Sequence, residues 1–171
     1  MPIKNDPKFE FGQLPVFKWE DGTIMSQNNS ILRALGSKYG YYPADDPKQL
    51  WLCDMMIEAL KDLLPHLSAV FQKPTPEECQ QALKDMCEKH FPAFLKIADA
   101  RLQDKVYFTG KLSIADFAVG SFLASTSHNV NNPHYQTFSD VVKGYPNVLK
   151  FWENFAQVNS KYLRNRPQYI Y

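Results

Sequence analysis

No stretch of this 171-residue chain is apolar for the roughly 20 residues that a helix needs to cross a bilayer. Its first dozen residues, rich in Lys, Asp and Pro, hold no apolar segment of the signal-peptide kind. Net charge is nearly absent as well, since 19 Lys and Arg face 18 Asp and Glu and leave +1. With no basic run and no interleaving of aromatics with Arg, nucleic acid is excluded as an expected partner. The three cysteines, Cys53, Cys79 and Cys87, form no CxxC pair and sit in helix-like surroundings, so a disulfide framework is not indicated and buried, reduced thiols are expected. No internal repeat or low-complexity tract interrupts the chain. The expected compartment is the cytoplasm, and an organelle-associated assembly stays open.

What is present is a chain with 44% hydrophobic residues, enough to bury a substantial core. Near its start, the apolar residues from Leu14 to Lys18, the turn signal Glu20-Asp21-Gly22 and the β-branched and apolar Thr23 to Met25 read as a β-hairpin. From Asn28, the spacing of Ile31, Leu32 and Leu35 predicts a helix, with Gly36 and Gly40 placed to stop it. Beyond Pro43 the pattern is helical throughout. Asp46-Pro47 opens a long segment with a stripe of Leu50, Cys53, Ile57, Leu60, Leu64 and Leu67, which Pro65 is expected to kink. Thr75 and Glu78, spaced as a capping box, open a second segment, and its stripe of Cys79, Leu83, Met86, His90, Phe94, Ile97 and Leu102 passes a second expected kink at Pro92. Ser113 and Asp116 in Leu-Ser-Ile-Ala-Asp-Phe give a further capping box. After a loop around Asn129 to His134, a last helix is predicted from about Pro146, carrying Val148, Phe151, Trp152, Phe155 and Val158.

Gln13-Leu14-Pro15 entering the hairpin, Gln27-Asn28 opening the first helix, and Leu-Ser-Ile-Ala-Asp-Phe opening a later one stand in an order and at distances that closely resemble the cytosolic glutathione transferases, with pi, mu and sigma forms the nearest. The resemblance runs over residues 11–155. It implies a fold in which an all-helical C-terminal part, residues 41–171, follows a partial thioredoxin-like hairpin and helix in residues 1–40. It also implies glutathione as substrate or ligand, a second-substrate pocket shaped by the helical part, and a homodimer or a heterodimer with a related subunit.

Independently of the resemblance, a proline at a sharp bend of such a sheet suits a cis bond, which would leave the Leu14 backbone groups unpaired and open to an extended peptide. A helix opening at Gln27 and Asn28 offers free amides and the positive end of a dipole to a carboxylate, while simple capping by Asn28 is the plainer alternative. The resemblance assigns the peptide at Leu14 and Pro15 as the cysteinyl backbone of glutathione and the carboxylate as its γ-glutamyl end. Where the family usually has Ser after Gln, this chain has Asn28, which weakens or re-aims that contact. Gln13 resembles the residue near the glycyl end, with Lys4 and Lys8 as nearby candidates for its carboxylate. Asp62 matches an aspartate that reaches the γ-glutamyl amine across the dimer, or else is a solvated helix residue. Phe11 matches an aromatic key that enters a slot between helices of a neighbouring subunit, here offered by Met55, Met56, Ala59 and Leu83; otherwise it covers its own hairpin. His128 and His134 read as members of a solvated loop, and His66 and His90 as structural residues beside the kinks. The tyrosines, including Tyr39, Tyr41, Tyr42, Tyr169 and Tyr171, read as packing or interface residues.

The resemblance further implies a strand, helix and strand ahead of the hairpin, carrying the hydroxyl or thiol that activates the glutathione sulfur. This sequence begins after that point, so no catalytic residue is assigned. The expectation is a family member that is not competent as this chain alone and serves as a structural or binding subunit of a dimer or larger assembly. The alternative is an active transferase whose N-terminal segment lies outside this sequence.

Overall fold

A computed structural model describes residues 9–167. The hairpin consists of β1 (Val16–Lys18) and β2 (Ile24–Ser26), antiparallel with Val16 opposite Ser26. Its turn is set by Asp21 Oδ1, which accepts from the Thr23 N–H at 2.9 Å, and by Gly22 at φ 92°. Helix α1 (Asn28–Tyr39) follows and ends at Gly40, in the left-handed region at φ 77°. Gly36 does not stop the helix as its composition suggested. It is buried inside α1, where an added Cβ would come within 2.5 Å of Ile114 Cγ2, so the absent side chain lets α1 pass against the start of a later helix. Lys38 in the last turn ties α1 back to the hairpin, pairing with Glu20 and lying 4.6 Å over the Trp19 ring.

Helix α2 (Pro47–Gln72) begins as its sequence predicts, with Asp46 accepting from the N–H groups of Lys48 and Gln49. It runs without a break through Pro65. Its buried positions are Leu52, Cys53, Met56, Ile57, Leu60, Leu63 and Val70, so Leu64, counted on the apolar stripe, is in fact exposed. Helix α3 (Pro76–Asp85) carries the Thr75–Glu78 box. The irregularity expected at Pro92 is a π-helical turn, Met86–His90, that joins α3 to α4 (Phe91–Leu102) and widens the helix just ahead of Pro92, whose ring and missing N–H it accommodates. Ile97 of the second stripe is exposed. Next come α5 (Ile114–Ser125), α6 (Tyr135–Val142), α7 (Pro146–Val158) and α8 (Ser160–Asn165). The short α6 and α8 escaped the sequence reading, and Val158 at the end of α7 faces out.

Helix α5 is apolar on nearly every side and is packed against α1, α2 and α7, as expected of a central helix. At its start, Asp116 is fully buried and accepts from the Ser113 N–H and Ser113 Oγ, both at 2.7 Å, and from the Phe108 N–H at 3.0 Å. Burial pushes its carboxyl up to about 6 against the pull of these donors. The continuous core joins Met56, Met86, Phe91, Leu95, Phe108, Leu123, Phe138 and Phe151 across these helices. The hairpin adds nothing to that cluster.

Candidate functional site

The hairpin mouth gathers most of the residues marked in the sequence. The Leu14–Pro15 bond is cis, and neither the Leu14 N–H nor its carbonyl has a hydrogen-bond partner among the described residues. Across the ladder, β2 delivers the chain to Gln27, which takes φ 71° and ψ 111°. That is a costly backbone region for a residue with a side chain, and such costs gather where function over-rules stability. Gln27 is the N-cap of α1, and its side chain makes no capping bond. Asn28 is the first helical residue, so capping by Asn28 is corrected: its amide reaches only Asn29 Oδ1, at 3.5 Å. The first N–H groups of α1 and its positive dipole end therefore stay uncommitted beside the unpaired Leu14 edge.

Gln13, Leu14, Pro15, Gln27 and Asn28 line one cavity of about 120 Å³, together with Phe11 and Ser26. Its volume suits one part of a peptide rather than an entire tripeptide. In kind, its donors suit an extended peptide at the unpaired backbone edge and a carboxylate at the helix start. Lys4 and Lys8 lie outside the described residues, as do Tyr169 and Tyr171.

Asp62 is elsewhere. It faces a groove of about 350 Å³ between α2 and α4, lined also by Met55, Met56, Ala59, Leu63, His66, Phe94 and Ile97. Its neighbour Lys61 turns instead to Glu58, at 3.8 Å. Of the expected slot residues, Met55, Met56 and Ala59 line this groove and Leu83 does not. Phe11 is 57% exposed, so its own hairpin does not shelter it.

The sequence reading missed a second apolar groove, of about 370 Å³, where Leu32, Ile57, Leu60, Leu64, Leu67, Phe117 and Phe122 converge from α1, α2 and α5. It also missed the clamp that orients α1. Arg33 donates to Asp54 at 2.9 Å and to Glu58 at 2.6 Å, while the Tyr42 hydroxyl donates to Asp54 Oδ2 at 2.9 Å. These bonds hold the Glu58 carboxyl below its usual range and raise Arg33.

His128, Cys53 and Cys87 are packed into the helical body. His128 is not solvated as expected: it stacks on Trp152 at 4.1 Å, its Nδ1 is 2.9 Å from Ser127 Oγ, and burial lowers it to about 4. Cys53 and Cys87 are buried, and burial raises both thiols, Cys87 to about 11, which removes them as nucleophiles at neutral pH. Cys79 is only half-buried. Among the described residues no cluster of three or more His, Cys, Asp or Glu could hold a metal ion, and no helix is long and apolar enough to cross a membrane.

Residues 61–166 match the family model described as glutathione S-transferase, C-terminal domain. The chain belongs to the glutathione S-transferase family. This family member is 28% identical over 166 residues to glutathione S-transferase alpha-4 of Rattus norvegicus, an alignment that covers 91% of this chain and 72% of the relative. It is 28% identical over 115 residues to the hematopoietic prostaglandin D synthase of Gallus gallus, with 67% and 56% covered. In fold it is similar to the prostaglandin synthase D of Nilaparvata lugens, at a TM-score of 0.78 and 19% identity over 97% of this chain and 79% of the other. It is likewise similar to the glutathione S-transferase of Ascaris lumbricoides, at 0.74 and 23% over 96% and 80%. The helical body after a partial thioredoxin-like hairpin and helix is thus the architecture of this family.

Proposed function

We propose that this glutathione S-transferase family member binds glutathione at the Leu14 edge and acts as a binding or structural subunit of a two-fold dimer, without conjugating glutathione to electrophiles as this chain alone. One observation carries the reading. The cavity at Leu14 and Gln27 is lined by backbone edges, amides and apolar side chains, with no Tyr or Cys among the described residues that line it, and the hydroxyl among them, Ser26 Oγ, is buried. Conjugation needs a thiolate, and a donor placed on the sulfur is what favours it near neutral pH. Binding needs only the peptide edge and the helix start, both of which are present.

The dimer part rests on Phe11 and the groove between α2 and α4. An exposed ring and an apolar slot with Met55 and Met56 on its wall are complementary, and a two-fold axis would give each subunit one of each. Ile97, also exposed, lines that groove. Asp62 on the slot wall would then approach the partner's ligand.

A second reading, an active transferase that takes its thiol-activating group from a further segment, is favoured by the 28% identity to the rat alpha-4 enzyme. Calorimetric titration with glutathione, beside a conjugation assay with a generic electrophile, separates the two. Measurable binding with conjugation at background supports the proposal. Robust turnover by this chain overturns it in favour of the active enzyme, and absence of binding removes the Leu14 site. For the dimer, Phe11→Ala should weaken association by about two to four orders of magnitude, the worth of two buried rings at roughly 1.5 to 3 kcal/mol each.

A further inference from the structure

We propose that association of two copies through the groove between α2 and α4 is switched by protons at His66 and His90, with neutral imidazoles favouring the joined state and imidazolium the separate one. This rests on the dimer reading above. The two rings come from different elements, His66 from α2 and His90 from the π-turn, yet they stack face to face with centroids 3.5 Å apart and planes 12° from parallel. Both line the groove proposed for Phe11, and both line a polar hollow on the other side of the stack. Two positive charges at that separation repel in any dielectric, so a proton on one ring opposes a proton on the other.

In the separate chain His66 is exposed and His90 half-buried, so water screens the pair. Burial already holds His90 below the usual imidazole range, with His66 adding to the effect and Asp85 opposing it. Covering the groove strips the remaining water and further penalises the charged form. Association must therefore release the proton, and acid must reverse it.

The charged groups around the pair set the sign. On α3, Glu78 closes the capping box with Thr75, and Asp85 is held by Lys89 at 2.7 Å and by Gln81 at 3.2 Å, so both carboxylates are committed. Lys73, after α2, opposes a further positive charge, whereas Lys89 on the π-turn is spent on Asp85, whose own pull on His90 outweighs it. Asp62 on α2 is the carboxylate facing the groove itself, and it favours imidazolium. It moderates the switch, which rests on the loss of water around the two rings when the groove is covered.

The test is the dissociation constant by sedimentation velocity between pH 8 and 5.5, for the wild type, His90→Phe and the double variant His66→Gln/His90→Phe. Below the ordinary imidazole range the wild-type constant should rise by up to about a hundredfold per pH unit, the slope for one proton taken up by each of two subunits on separation. In the double variant, which has neither imidazole, it should change less than threefold over the whole range. Each variant's melting curve checks its fold, and His90→Phe alone, which keeps a ring in the stack, should show a shallower slope than the wild type if the double variant is unstable. His128 is untouched in both, so any general loosening in acid affects all three proteins alike. A wild-type dimer with a constant independent of pH overturns the switch and leaves the dimer standing. A chain monomeric at every pH overturns the dimer and the switch together. Equal pH dependence in all three proteins assigns the proton to another group and overturns the switch.

Discussion

The hairpin end and the helical body of this chain solve opposite problems. The continuous core of buried residues begins at Leu52 and runs to Phe155, wholly within the helical body. The hairpin is two three-residue strands, with Leu14 and Phe17 exposed and an unpaired backbone edge at Leu14. An isolated two-stranded hairpin is marginal in water, and this one is held by its tie to α1 through Lys38 and by the Arg33 clamp from α1 to α2. Open backbone groups and a positive φ at Gln27 are liabilities for folding and assets for binding. The body supplies the stability against which the hairpin end can stay open.

Substitutions at the two ends should break that contrast cleanly. Phe91 is fully buried and touches the rings of Phe122 and Phe138 edge-on. Phe91→Ala should cost about 3 to 5 kcal/mol, enough to unfold a marginal domain, as read by chemical denaturation. Phe17→Ala, at a ring one third exposed on the hairpin, should cost under about 1 kcal/mol and leave the unfolding midpoint nearly in place. Comparable losses would mean the hairpin shares the core.

Next in size is Asp116. Its removal strands the buried N–H groups of Ser113 and Phe108. Asp116→Ala should therefore cost about 1 to 3 kcal/mol, lowering the melting temperature while leaving glutathione affinity unchanged. A loss of affinity equal to the loss of stability would show that the two regions are one cooperative site.

A further effect is set by pH. His128 is lowered to about 4 by burial, so its contribution is full above the ordinary imidazole value and is lost as pH falls through 4. Asp116, raised to about 6, works the other way: its contribution is full below the ordinary carboxyl value and is lost as pH rises through 6. The two offset each other between about 4 and 6.5. His128→Phe, which preserves the stack on Trp152, should remove about 1 to 2 kcal/mol of acid sensitivity, the shift discounted for the part of the ring that water reaches. A denaturation series from pH 7 to 4 that is identical in the two proteins would place the acid response elsewhere.

What the sequence made legible follows the same division. Features fixed by neighbours in the chain were readable. Asp46-Pro47, Thr75 with Glu78, and Ser113 with Asp116 mark their helix starts through contacts within three residues, and Leu14-Pro15 announced its bend. Features fixed by distant partners were not. Gly36 looks like a stop signal until Ile114, 78 positions away, is seen against it. His128 looks solvated until Trp152 covers it, and Leu64 looks like core until its neighbour Leu63 takes that face. Of the candidate site, Gln13, Leu14, Pro15, Gln27 and Asn28 were legible as one cluster because the hairpin brings them together locally. The strain at Gln27 was not, since nothing in residue identity reports a φ of 71°.

Native-state hydrogen exchange with and without glutathione tests the central claim most directly, because it reads both ends of the molecule in one sample. Amides of α5 and of α4 should exchange only through global unfolding, and those of β1, β2 and the first turn of α1 through local opening. Glutathione should slow exchange at Leu14 and at the first amides of α1 while leaving the centre of α5 tied to global stability. Hairpin amides as protected as those of α5 in the absence of ligand, or a Leu14 amide that glutathione leaves unchanged, would contradict the account.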